Sequence, residues 1–129
     1  MTSVLREAVR HAADRVPVAV VSGAFRNEIE PVLRAAGIDR LFVTLVTADD
    51  VTNGKPDPEC YRLLIERLGD GIRPEDVLVF EDTTAGIAAA KGAGLRCVAV
   101  RGTLPDERLV EADVLVDRID VALIDRLLG

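Results

Sequence analysis

Apolar residues recur at Val4, Leu5, Ala8, Val9 and Ala12, three and four positions apart, and predict an amphipathic helix over Ser3 to Arg15 with Ser3 as N-cap. Pro17 ends that register. Val18 to Val21 is a short unbroken apolar run that stops at Ser22-Gly23, the pattern of a fully buried parallel strand. A helix follows over Asn27 to Ala36, closed by Gly37 where a left-handed turn is wanted. Leu41 to Val46 predicts the next strand, and the turn-rich Ala48 to Gly54 leads to a helix from Asp57-Pro58 to about Leu68, with Asp57 as N-cap and Pro58 in first position. Beyond it come a strand over Val77 to Phe80, a helix capped by Thr83 or Thr84 and running to Lys91, and strands at Leu95 to Val100 and Val114 to Val116. A last helix spans Ile119 to Leu128.

Strands and helices alternate with short connections, which predicts a parallel α/β sheet covered by helices on both faces and joined by right-handed crossovers. No repeat, low-complexity tract or linker interrupts residues 1–129, so they form one expected domain. Aromatic residues are 3% of the chain and hydrophobic residues 49%, so the core must be aliphatic. A net charge of −6 argues against a nucleic-acid backbone or an anionic membrane as principal partner. The longest apolar run, Val16 to Val21, is too short to span a bilayer, and Arg6, Glu7, Arg10 and Asp14 interrupt any leader-like segment. Cys60 and Cys97 lack metal-site spacing and are expected as buried free thiols, in keeping with a reducing cytoplasm. His11, the single histidine, falls on the polar side of its helix and is expected at the surface.

In such sheets ligands bind at the carboxyl ends of strands, and three polar segments fall there. Ser22-Gly23-Ala24 offers a hydroxyl and successive backbone N–H groups ahead of a helix, the makings of an anion cradle, with Gly23 permitting close approach. In Gly54-Lys55-Pro56-Asp57-Pro58 two prolines stiffen the chain after Lys55, so its ammonium projects from a fixed loop toward a phosphoryl group or a carboxylate. Glu81-Asp82 puts two carboxylates at the end of an apolar strand, where a cation must meet them; Mg²⁺, which prefers oxygen ligands, is the natural candidate.

Val18 to Gly23, Gly54 to Glu59 and Val79 to Lys91 together resemble the second, third and fourth motifs of the haloacid dehalogenase superfamily, nearest its β-phosphoglucomutase-like and phosphoglycolate-phosphatase-like branch. The resemblance covers about Val16 to Gly102. It implies a three-layer α/β/α Rossmann-like core and Mg²⁺-dependent phosphoryl transfer from a small phosphorylated metabolite. By it, Ser22 with Gly23 and Ala24 binds the phosphoryl group, and Lys55 stabilises charge on that group and on the nucleophile. Asp82 ligates Mg²⁺, with Glu81 supporting the metal shell directly or through water.

The family opens with a strand ending in Asp-x-Asp, whose first aspartate attacks phosphorus, followed by an inserted cap domain. No Asp-x-Asp follows a strand among these residues; Asp57 and Glu59 have the spacing but precede a helix. The resemblance therefore implies a sheet without the central strand that lies between Val18–Val21 and Val77–Phe80, and a chain inactive by itself. Two further readings stand beside it: half of a split enzyme completed by an N-terminal segment or another chain, and a non-catalytic phosphate- or Mg²⁺-binding module. A signalling receiver domain would require an acidic pair where Ser22-Gly23 stands.

Overall fold

A computed structural model describes all residues from Met1 to Gly129. In chain order the elements are α1 (Ser3–Ala13), β1 (Val18–Val21), α2 (Arg26–Ala35), β2 (Phe42–Val46), α3 (Glu59–Leu68), β3 (Leu78–Glu81), α4 (Thr84–Gly92), β4 (Arg96–Val100), β5 (Val114–Val116) and α5 (Val121–Leu128). Every strand pairing is parallel. One face is built by Cys60, Tyr61 and Leu64 of α3 and Ile87, Ala89 and Ala90 of α4, packed on Val46, Val79, Cys97 and Ala99 of the strands. On the other, Ala8 and Ala12 of α1 and Ile124 of α5 pack with Val18 and Phe80. The small side chains of α1 and α4 let these helices sit close to the strands. No helix is long and apolar enough to cross a membrane.

The strands form two sheets, β1–β2 and β3–β4–β5. β1 and β3 do not pair, although Val18 and Phe80 share one apolar cluster and Ala19, Val21 and Val79 share the other. Packed helices on both faces thus hold the two strands without a ladder between them. The expectation of a fully buried first strand needs correcting: all four β1 residues are only half-buried, whereas Cys97, Val98 and Ala99 of β4 are at most 1% exposed. β4 has a neighbour on each side; β1 pairs only with β2.

Several boundaries move by a residue or two for local reasons. Thr2, not Ser3, caps α1, its Oγ1 accepting from Leu5 N at 3.2 Å. α3 begins at Glu59 with Pro58 as the capping residue, and Asp57 Oδ1 accepts from Glu59 N at 2.9 Å. Asp57 therefore caps a turn just ahead of the helix rather than the helix itself. β3 runs on through Glu81, because Val79 and Glu81 point to the same side and both are buried. Thr83 caps α4, accepting from Gly86 N at 3.1 Å. Gly37 and Gly94 close α2 and α4 with φ of 71° and 81°.

Candidate active site

Ser22 N donates to Val46 O of β2 at 2.9 Å. Carbonyl and following N–H point to opposite sides of a strand, so Val21 O faces away from β2, toward β3. Ser22 Oγ accepts from Ala24 N at 3.1 Å, turning the chain from β1 into α2. Nothing lies within 4 Å of the position a Cβ would occupy on Gly23, so the turn is open to an approaching anion.

Lys55 joins the two sheets. Its Nζ donates to Val21 O at 3.2 Å and to Glu81 Oε2 at 2.7 Å, with the Lys55 side chain 18% and the Glu81 side chain 8% exposed. An ammonium carries three hydrogens, so two contacts leave one for another acceptor. The loop that carries Lys55 is tied at both ends. Ahead of it, Asp50 Oδ2 accepts from Thr47 N at 2.8 Å, and the carboxylate pairs with Arg26 and Arg67, each at 3.2 Å. The backbone hydrogen bond from Thr47, then Arg67, lower the Asp50 pKa to about 2. Behind it, Glu59 accepts from Thr52 N at 2.7 Å and Asn53 N at 3.1 Å.

The cation that Glu81 meets is therefore Lys55. Glu81 is a buried carboxylate with two donors on one oxygen, since the Tyr61 hydroxyl also donates to Oε2. Its other oxygen lies over Gly86, where any Cβ would overlap Oε1 and Cδ. Tyr61 is held protonated far above the usual phenol range, first by burial and then by the charge on Glu81. Asp82, exposed at the end of β3, accepts from Thr103 Oγ1 at 2.7 Å.

Ser22 and Asp82 thus follow the carboxyl ends of β1 and β3, and Lys55 bridges those ends through Val21 O and Glu81. Nowhere do three His, Cys, Asp or Glu side chains cluster as a ready cage for a metal. Mg²⁺ commonly binds through one or two carboxylates plus waters and phosphate oxygens. The exposed Asp82 fits that mode, while Glu81 is already shared by Lys55 and Tyr61. Two shallow depressions, of ≈300 and ≈530 Å³, flank α2 and share Arg26 and Glu30, which pair with each other; Ser22, Lys55, Glu81 and Asp82 line neither. Cys60 and Cys97 are free and buried, and burial raises both thiol pKa values, that of Cys97 to about 11. His11 bonds Asp125 of α5 at 2.6 Å in an exposed pair.

Sequence reasoning missed Tyr61, Gly86 and Thr103. Two carried a signal: a lone tyrosine in an aliphatic core needs a partner for its hydroxyl, and a glycine in the first turn of a helix marks a close approach. Thr103, in the loop after β4, carried none.

The family model of haloacid dehalogenase-like hydrolases matches residues 3–94. Validoxylamine A 7'-phosphate phosphatase of Streptomyces hygroscopicus subsp. limoneus is 46% identical over 102 residues, which are 79% of this chain and 47% of that protein. A phosphorylated carbohydrates phosphatase of Thermotoga maritima is 40% identical over 111 residues, 84% of this chain and 50% of its own length. Among solved structures, β-phosphoglucomutase of Clostridium difficile superposes with a TM-score of 0.76 at 25% identity, over 93% of this chain and 50% of that one. The chain spans about half the length of the curated relatives it matches. With parallel sheets between helical layers and motif residues converging on one strand edge, the chain belongs to the haloacid dehalogenase-like hydrolases, in their β-phosphoglucomutase-like branch.

Proposed function

We propose that this chain supplies the phosphate-binding half of a Mg²⁺-dependent phosphoryl-transfer centre for small phosphorylated metabolites, acting as a phosphatase or phosphomutase. The observation that carries the reading is the Lys55 ammonium, held between Val21 O and Glu81 with one hydrogen free, on the strand edge that also presents Ser22 and Asp82. The names of two relatives, phosphatases of validoxylamine A 7'-phosphate and of phosphorylated carbohydrates, favour a phosphorylated sugar or sugar-like substrate.

In this scheme Ser22 Oγ and the N–H groups of Gly23 and Ala24 orient non-bridging phosphoryl oxygens. Lys55 directs its third hydrogen at the charge that builds on them. Asp82 would hold Mg²⁺, which would supply positive charge to neutralise the phosphoryl oxygens. In the covalent step a carboxylate oxygen bonds to phosphorus as the ester P–O bond breaks, and the leaving alkoxide takes its proton from the second aspartate of the family's Asp-x-Asp. Residues 1–129 place no aspartate to do this, so it comes from an Asp-x-Asp strand in an N-terminal segment or another chain. A non-catalytic phosphate-binding module is the second reading, favoured by that same lack of an attacking aspartate.

Residues 1–129 alone, assayed with p-nitrophenyl phosphate and Mg²⁺, should show no turnover above the uncatalysed rate. Robust turnover that Lys55→Ala abolishes would mean that a nucleophile is present in this chain and would overturn the assignment.

A further inference from the structure

We propose that Tyr61 is a positioning residue of this site, aiming the Lys55 ammonium through its hydroxyl on Glu81 and through its ring face. The inference rests on the reading of Lys55 as the phosphoryl-binding cation. Tyr61 lies in the first turn of α3, six residues beyond Lys55 on the same loop-and-helix unit, and is 3% exposed. A phenol hydroxyl so deep in a core must donate to something. Its acceptor is Glu81 Oε2, the oxygen that also takes Lys55 Nζ at 2.7 Å. The same ring lies under the ammonium, whose nitrogen is 5.4 Å from the ring centroid, within cation–π range. One side chain therefore touches both members of the ion pair.

Geometry leaves Glu81 little freedom to do without it. The carboxylate sits in the space a Cβ would fill on Gly86, so its other oxygen, Oε1, is packed over a residue that offers no side chain. With both donors in place, the carboxylate charge is divided between a phenol and an ammonium, so Lys55 is only partly neutralised and keeps charge for an incoming anion. Without the phenol, Lys55 is the only donor left to Oε2, and it closes onto Glu81 at the expense of the anion.

The chain has two lysines and one tyrosine, which makes the test direct. With ¹⁵N-labelled lysine, Lys55 and Lys91 give separate ammonium signals, and Lys91, paired with Asp113 at 2.7 Å, serves as internal control. In Tyr61→Phe the ring stays and the hydroxyl goes. The Lys55 signal should move while that of Lys91 does not, and the Kd for inorganic phosphate read from it should weaken roughly 3- to 10-fold, as for loss of part of a charge-assisted hydrogen bond. Tyr61→Leu, which also removes the ring, should weaken it further. A Lys55 signal and a phosphate Kd unchanged in Tyr61→Phe would overturn the proposal. A wild-type Lys55 signal indifferent to phosphate would instead remove the phosphoryl-binding reading, and the Lys55 signal position in Tyr61→Phe would still decide the role of Tyr61. Should loss of the hydroxyl unfold the chain, 3-fluorotyrosine labels position 61 alone. Its ¹⁹F signal must then move in Lys55→Met, and an unmoved signal would overturn the link.

Discussion

Lys55 and Glu81 form a pair whose worth lies in its geometry. A buried ion pair commonly returns little net stability, because desolvating both charges offsets their attraction. Removing one partner is another matter, since the survivor is left buried and unpaired. Here Glu81 is constrained by Lys55, Tyr61 and the bare backbone of Gly86. Gly86→Ala would put a methyl group where the carboxylate now lies. Its neighbours Ile87, Ala89 and Ala90 are almost fully buried, so α4 has no room to retreat. The expected loss is roughly 1–3 kcal/mol from overpacking alone, together with weaker phosphate binding as Glu81 is pushed off Lys55. Urea unfolding of Gly86→Ala beside the wild type measures the first part; an unchanged midpoint would show that the carboxylate relocates freely.

At the scale of elements, the loop from β2 to α3 is the part that sets Lys55 in place. Asp50 anchors its start and has a pKa lowered to about 2 from 3.8. A carboxylate with a depressed folded-state pKa adds stability above its unfolded pKa and loses it as pH falls through the folded one. The Asp50 contribution is therefore full above about pH 4 and fades toward pH 2. The Asp50 side chain is 17% exposed and its arginine partners more so, which trims the expected value to about 1–2 kcal/mol. Asp50→Asn should be less stable than wild type by that amount at pH 7, with the difference vanishing near pH 2. A difference that persists undiminished at pH 2 would assign the effect to packing instead. None of this was legible in Thr47 to Asp50, where the sequence shows only a polar turn, because Arg26 and Arg67 arrive from other helices. The strands at Val18–Val21 and Val114–Val116 were legible to the residue, since polar or helix-breaking residues bound them sharply. β3 was not, because only the fold reveals that a glutamate at its end has a buried lysine to meet.

The molecule as a whole is two parallel sheets that share helical layers but no ladder. The three motif segments were legible in sequence as polar stretches after apolar strands, and Ser22 and Asp82 do directly follow β1 and β3. The missing ladder between β1 and β3 accords with the expected lack of a central strand, whereas the way α1, α5, α3 and α4 pack across both sheets was beyond sequence. A strand edge with unpaired N–H and C=O groups costs roughly 1–3 kcal/mol for each buried group left unsatisfied, against a net domain stability of about 5–15 kcal/mol. Val21 O escapes that cost through Lys55, while β1 along its length stays half-buried with β2 as its one partner. The proposed place for a strand that delivers the attacking aspartate, between β1 and β3 and beside Lys55, is tested by thermal unfolding with and without a peptide of one apolar strand ending in Asp-x-Asp. Residues 1–129 alone should give a marginal melt, and Tm should rise as peptide is added. A monomer that unfolds cooperatively above ~65 °C, the top of the usual mesophile range, with no shift at any peptide concentration, would contradict it.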